Sequence, residues 1–461
     1  MEVQVLKHPF VYYLLPSIYL LICVKGGMMI PAQSSTILNR SSFPADFIFG
    51  AGSSAYQYEG AAESGGRKPS IWDTFAINQS EKILDHSNGN VADNFYEDYK
   101  EDIALMKEVG LDSFRFSLSW SRILPPFGDR VKHWVTVNEP NLFSMTGYAT
   151  GTDAPGRCSN YIGSCPEGNS GTEPYLVAHH LLLCHATAVK LYKKNYQASQ
   201  QGAIGITVYT WWTVPKFQTI SCKKAASRSF DFLIGWFLHP IAYGTYPECM
   251  QVLAGDRLPK FTNSESELVR GSIDFVGVNY YTSYYGEDLT SYNSSELSYT
   301  TDSRVNLTHE KNGIPLGEPT SSSWLYIYPE GIRRVLLHIK KKYNPPYIYI
   351  TENGLADANS SSWTVNKATN DILRIKYHRL HLSSLLKAIE DGVDVRGYYV
   401  WSFLDNFEWD SGYTYRFGIT YVDFKNGLKR YLKNSGLWFK NFLQKEANVS
   451  TAAASLLYSD Q

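Results

Sequence analysis

The sequence has little of what marks partners other than small molecules. Its formal net charge is −1, so no charge excess draws it to a polyanion, and no nucleic-acid partner is implied. Its six cysteines and eleven histidines show no metal-ligand spacing. His179, His180 and His185 share a helical stretch with Leu181, Leu182 and Leu183. No acidic ligand completes a site there, and the three read as packed side chains. There is no repeat of solenoid period and no low-complexity tract, which sets aside repeat arrays. The mostly apolar run from Phe10 to Val24 is too short for the roughly 20 residues of a membrane span.

That run has the length of a secretory h-region. Lys7, His8 and Pro9 precede it and Lys25-Gly26-Gly27 close it. Residues 1–27 therefore read as a signal peptide, and 28–461 as one domain. Six N-x-S/T sequons, at Asn39, Asn78, Asn293, Asn306, Asn359 and Asn448, agree with export to the extracellular space, cell wall or vacuole and with glycosylation. Cys158 and Cys165 sit close together in a Gly/Ser/Asn/Pro-rich loop, where an oxidising compartment favours a local disulfide. Cys184, Cys222 and Cys249 read as structural thiols. Aromatics are plentiful, with 34 Tyr and 11 Trp. They suit a core, and equally a sugar site, because an aromatic face packs on the apolar face of a pyranose.

Strand and helix patterns alternate along the chain. Strands are expected at Asp46–Gly50, Ser113–Trp120, His133–Val137, Ala203–Tyr209, Asp274–Tyr281, Tyr347–Glu352 and Val395–Trp401. Helices are expected at Asn94–Val109, Pro174–Tyr196, Glu330–Lys342 and Leu373–Asp391. Such alternation predicts a parallel sheet with helices outside it. Polar groups fall at the carboxyl ends of most strands, at Asn138-Glu139, Asn279 to Tyr281, Glu352 and Trp401. That is the layout of a (β/α)8 barrel, one strand short. The polar segment Gly286–Ser323 is too long for an ordinary connection and reads as a loop over the barrel mouth.

A Glu ending a buried strand suits chemistry better than packing, although capping of the following loop is the other reading of Glu352. Two strand-end carboxylates, Glu139 and Glu352, are what glycoside hydrolysis requires. One protonates the leaving oxygen and the other attacks the anomeric carbon. Their environments must differ, so that one starts neutral and the other ionised. Arg115, in mid-strand among aromatics, is a candidate cation for keeping Glu352 ionised, or a buried ion pair tying two strands.

Thr136-Val137-Asn138-Glu139-Pro140 and Ile350-Thr351-Glu352-Asn353-Gly354 resemble the two signature motifs of family 1 glycoside hydrolases. Phe49 to Gly60, Val278-Asn279-Tyr280-Tyr281 and Trp401 to Trp409 resemble further motifs of that family. The likeness runs from about Phe43 to Leu443 and is nearest to plant β-glucosidases, in which the cysteine pair matching Cys158 and Cys165 is disulfide-bonded. It implies a (β/α)8 barrel and a retaining β-glucosidase without cofactor or metal, acting on a β-glucoside or oligosaccharide. Glu139 would be the acid/base and Glu352 the nucleophile, supported by Arg115 and Asn279. Asn138 would bind the sugar 2-hydroxyl and Tyr281 would donate to Glu352. Gln57, Glu408 and Trp409 would hold hydroxyls at the far end of the glucose. Trp401 would form the stacking floor, Phe417 would close the pocket and Trp324 would line the aglycone side. Family members that cleave thioglucosides carry Gln at the acid/base position. The retained Glu139 implies an O-glycosidase.

The resemblance departs at one place. Between Trp120 to Pro125 and Phe127 to Trp134 the family pattern holds a helix, the third barrel strand with a sugar-binding His-Trp pair, and most of another helix. Here Pro126 joins the two sides directly. Parallel neighbours need a crossover of about a dozen residues or more, which Leu124 to Lys132 does not supply. His133 and Trp134 are no substitutes, since they start the Asn-Glu strand. The barrel is expected to lack one β/α unit, through a skipped exon or a faulty gene model. A wall gap between the Arg115 and Trp134 strands, or strained closure of the two, is expected. The competing reading is an inactive or poorly folded isoform acting at most as a sugar-binding protein.

Overall fold

The computed structural model describes residues 38–119, 128, 130–289 and 295–444. Seven strands carry the fold: β1 (Ile48–Gly52), β2 (Ser113–Arg115), β3 (His133–Asn138), β4 (Ala203–Pro215), β5 (Phe275–Asp288), β6 (Ile348–Asn353) and β7 (Val395–Val400). They pair in parallel in the order β2-β1-β7-β6-β5-β4-β3. This is the circumference of a (β/α)8 barrel with one position missing.

The missing position lies between β2 and β3. Among the described residues no backbone pairing joins these two strands. Both edges are wet. All three residues of β2 are half-buried, as are five of the six in β3, while Asn138 is exposed. By contrast β6, in mid-sheet, is buried along its whole length. The strand expected to run from Ser113 to Trp120 stops at Arg115. β1 stays in register with it only as far as Gly52 and Arg115, and among the described residues no strand lies on its other side. Phe116 and Leu118, which a further ladder would cover, are 53% and 40% exposed. Trp120 and the Pro126–Phe127 junction lie outside the described residues.

The longer elements follow from pattern. Helix α1 (Phe95–Val109) ends on Gly110, whose φ of +88° and N–H bonds to Met106 and Lys107 close the last turn. Helix α2 (Glu173–Asn195) backs β3 and β4. Helix α3 (Glu330–Tyr343) buries Ile332, Val335, Leu336 and Ile339, one stripe at helical spacing, with Glu330 in its first turn and Lys340 to Lys342 in its last. Helices α4 (Ile372–Glu390) and α5 (Asn434–Leu443) complete the outer layer between β6, β7 and β1. Below the site the barrel interior is filled by Phe275, Tyr349 and Tyr399, with Val135 and Ile48 against them.

Two expectations are corrected. β4 and β5 run well past their expected ends because they pair with each other from Gly205–Phe275 to Pro215–Gly286. The 286–323 segment is not a plain loop: Val305–Thr308 pairs with β5, and Glu310–Lys311 pairs with Ile314–Pro315. Cys158 and Cys165 are disulfide-bonded, with Cα atoms 5.5 Å apart. His179 packs on Phe261 and bonds Tyr246, and His185 bonds Thr136. Among the described residues no helix is long and apolar enough to cross a membrane, and no cluster of His, Cys, Asp or Glu could hold a metal.

Candidate active site

Both carboxylates sit at carboxyl ends of strands. Glu352 is next to last in β6, where the register against β5 shifts between Ile350 and Glu352. Such an irregularity re-aims a side chain at a strand end. Glu139 directly follows β3. Its φ of +48° is left-handed, its N–H bonds Thr207 O at 2.9 Å, and it caps the helix that begins with Pro140. A non-glycine residue there is held by its surroundings against its own preference. On the same turn Asn141 bonds Tyr209 through both its amide and its carbonyl, locking it to β4.

One set of hydrogen bonds links the pair. Arg115 Nη1 donates to Glu352 Oε1 at 2.5 Å, and its Nη2 donates to Asn138 Oδ1 at 2.5 Å. Asn279 Nδ2 donates to Glu139 Oε1 at 2.7 Å and to Asn138 Oδ1 at 3.2 Å. Tyr281 OH donates to Glu352 Oε2 at 2.7 Å. Thr351, one residue before Glu352, fixes Asn279 by donating to its Oδ1 at 2.6 Å.

The environments of the two carboxyls differ. Glu352 is 5% exposed and accepts from a guanidinium on one oxygen and a phenol on the other. Among the described residues the one side-chain donor to Glu139 is the Asn279 amide. Burial raises its pKa above the ordinary carboxylate value, and the negative charge of Glu352 raises it further. Glu139 therefore favours its acid form near neutral pH, with its pKa pushed up to about 8. Asn279 touches Glu139 and Asn138 rather than Glu352, with which it shares only backbone register.

The remaining candidates gather on the loop after β7 and the segments facing it. Trp401 is 5% exposed, and its carbonyl lies so close to Gly354 that a Cβ there would sit 1.8 Å from it. This explains a glycine directly after Glu352-Asn353. Gln57 Nε2 donates to Phe407 O at 2.7 Å, to Asn406 Oδ1 at 2.9 Å and more distantly to Glu408 Oε2 at 3.4 Å. Glu408 is buried and its Oε1 has no hydrogen-bond partner among the described residues, which leaves an acceptor for a hydroxyl. Trp409 packs against Trp72 in a tilted arrangement with ring centroids 4.6 Å apart. Phe417 and Trp324 both stand edge-on to Tyr281, at 6.0 Å. Ser54, which bonds Gln57 Oε1 at 2.6 Å, Thr351 and Asn406 were not expected from sequence. Each lies within a motif but carries no charge or ring to draw notice.

A family model described as Glycosyl hydrolase family 1 matches residues 39–126 and 125–448. Beta-glucosidase 17 of Arabidopsis thaliana is 52% identical to this chain over 482 aligned positions, covering 90% of the chain and 93% of the relative. Beta-glucosidase 12 of Oryza sativa subsp. indica is 46% identical over 496 positions, covering 93% and 97%. A crystal structure of a rice β-glucosidase superposes with a TM-score of 0.86 at 41% identity, over 88% of this chain and 100% of that one. Both sequence alignments are longer than the 461 residues of this chain. Each relative therefore has positions without a counterpart here, and the family match itself divides at residues 125–126.

Proposed function

The chain belongs to glycosyl hydrolase family 1, and from that premise we propose that its site removes terminal β-D-glucosyl residues from O-glucosides with retention of configuration. It is a glycosidase of the β-glucosidase kind. The observation that carries the specific mechanism is the contrast between Glu352, held between Arg115 and Tyr281, and Glu139, half-buried beside the Asn279 amide.

The chemistry follows from that contrast. Protonated Glu139 gives its proton to the glycosidic oxygen as that bond breaks. Glu352 attacks the anomeric carbon from the opposite face and forms a glycosyl ester. Esterification removes the charge of Glu352, so one of the causes raising the pKa of Glu139 disappears. Glu139 then ionises readily and takes a proton from the water that cleaves the ester. Asn138 faces the 2-hydroxyl, Trp401 stacks on the ring, and Gln57, Glu408 and Trp409 take the distal hydroxyls. Phe417 closes the pocket and Trp324 borders the aglycone.

Proton NMR of the first glucose released from nitrophenyl β-glucoside tests this. Retention yields the β-anomer first; initial α-glucose would contradict it.

The unpaired edges of β2 and β3 favour a second reading of how well this chain works. We read it as a form lacking one β/α unit, less stable and less active than a complete barrel, and in the limit a sugar-binding protein without turnover. We also assign it to the secretory pathway, with residues 1–27, outside the described residues, as its signal. The Cys158–Cys165 bond supports that assignment. Among the sequons, Asn78 and Asn359 are exposed, while Asn293 and Asn448 lie outside the described residues.

A further inference from the structure

The loop carrying Trp401, Glu408 and Trp409 contains a carboxylate that the proposed mechanism does not use. Asp405 is completely buried. Its Oδ1 accepts from Lys433 Nζ at 2.6 Å and from the Gly418 N–H at 3.0 Å, and its Oδ2 accepts from Arg416 Nη1 at 2.6 Å. Lys433 and Arg416 are themselves only 1% and 7% exposed at the side chain. A carboxylate shared by two buried cations is over-determined in position, since moving it would leave two charges unpaired in a dry interior.

The contacts join two pieces of the site that lie on separate segments of the chain. On one side Asp405 lies three residues before Glu408. On the other, Gly418 directly follows Phe417, and a Cβ on Gly418 would come within 2.2 Å of the Asp405 nitrogen. Backbone bonds reinforce the junction, from Ser402 N to Phe417 O and from Asp405 N to Thr420 O. Burial would raise the pKa of Asp405, but Lys433 and Arg416 outweigh it and hold the group ionised.

We propose that Asp405, clamped by Lys433 and Arg416, is a positioning residue that sets Glu408 and Phe417 at a fixed separation and so determines recognition of the distal end of the sugar. The proposal rests on the glucosidase reading above and deepens it. Asp405 touches no substrate. It acts by holding the buried Glu408 acceptor and the Phe417 wall in register with each other.

The test compares binding of two imino sugars to the full chain by calorimetry, one of glucose configuration and one of xylose configuration lacking the hydroxymethyl group. Asp405→Asn keeps the shape but removes the charge. It should weaken the glucose-shaped ligand by about tenfold or more and the xylose-shaped one by less than about threefold. A purely structural role would weaken both equally, and that result, or no change in either, overturns the proposal. Should Asp405→Asn fail to fold, Lys433→Met leaves Arg416 on the carboxylate and is judged by the same ratio. Binding needs no turnover. Hydrolysis of nitrophenyl β-glucoside by the unaltered chain therefore tests the glucosidase reading separately.

Discussion

Arg115 and Asn138 meet across the interruption in the barrel wall. Arg115 ends β2 and Asn138 ends β3, two strands without backbone pairing among the described residues, and Arg115 Nη2 donates to Asn138 Oδ1 at 2.5 Å. The other end of the guanidinium holds Glu352. A single side chain thus links both edges of the gap to a residue of the site. The carboxylate cage persists because its members stand on strands anchored from the other side, β1 for Arg115 and β4 for Asn138.

Removing that link should be costly. Arg115→Gln takes away the cation beside Glu352 and the bridge to Asn138. The expected loss in kcat/KM on nitrophenyl β-glucoside is roughly 100-fold or more, the scale of a preorganised electrostatic contact. A loss below about threefold in folded protein would show that Glu352 does not depend on Arg115.

Glu139→Gln separates leaving groups and pH limbs. Poor leaving groups need the proton, so their rates should fall by roughly 100-fold or more, while the first step on a dinitrophenyl glucoside falls far less. The sign of the pH effect follows from the raised pKa of Glu139. The acid form works, so activity declines as pH rises through that pKa. The variant should lose this alkaline limb. If the limb remains unchanged, another group is the acid.

Asp93 tests the cost of an unused buried charge. It is fully buried, and among the described residues neither carboxyl oxygen has a hydrogen-bond partner. Burial raises its pKa well above the ordinary value, against an opposing pull from Arg430. A raised carboxyl contributes stability that is fully present below the unfolded pKa and lost as pH climbs through the folded one. Asp93→Asn should flatten the decline of Tm between pH 4 and pH 8, with its most favourable effect at the alkaline end. Parallel Tm curves for the two proteins would contradict this.

Much of this was legible in the sequence, for stated reasons. β6 could be read because Ile348, Ile350 and their neighbours form a buried run ending in a carboxylate and a glycine turn. Helix α3 could be read because its apolar stripe and end charges agree. The shortening of β2 to Arg115 could not, because strand length depends on a neighbour and local propensity takes no account of one. The extension of β4 and β5 was hidden for the same reason. The clamp on Asp405 joins residues 28 positions apart, and no local pattern in Lys433 or Asp405 announces it. Asn279 was expected to support Glu352 and instead meets Glu139, because the register shift in β6 turns Glu352 toward Tyr281 and Arg115.

The open wall predicts a stability difference. A version with the missing β/α unit restored between Leu124 and Lys132 should cover Phe116 and Leu118 and pair both free edges. Burial of a whole unit at about 25 cal/mol per Å² can match a typical total stability of about 5–15 kcal/mol. The restored form should melt at a distinctly higher temperature and turn over glucosides faster by at least an order of magnitude. Equal melting and equal rates for the two forms would show that the gap is harmless.

The assignment of Glu352 as nucleophile is tested most directly by trapping the covalent intermediate. The restored form is incubated with a 2-fluoroglucoside bearing a good leaving group, digested and mapped by mass spectrometry. The expected result is one fluoroglucosyl ester, on the peptide containing Tyr349-Ile350-Thr351-Glu352, absent from Glu352→Gln. A label on any other residue, or one that survives in Glu352→Gln, would contradict the account.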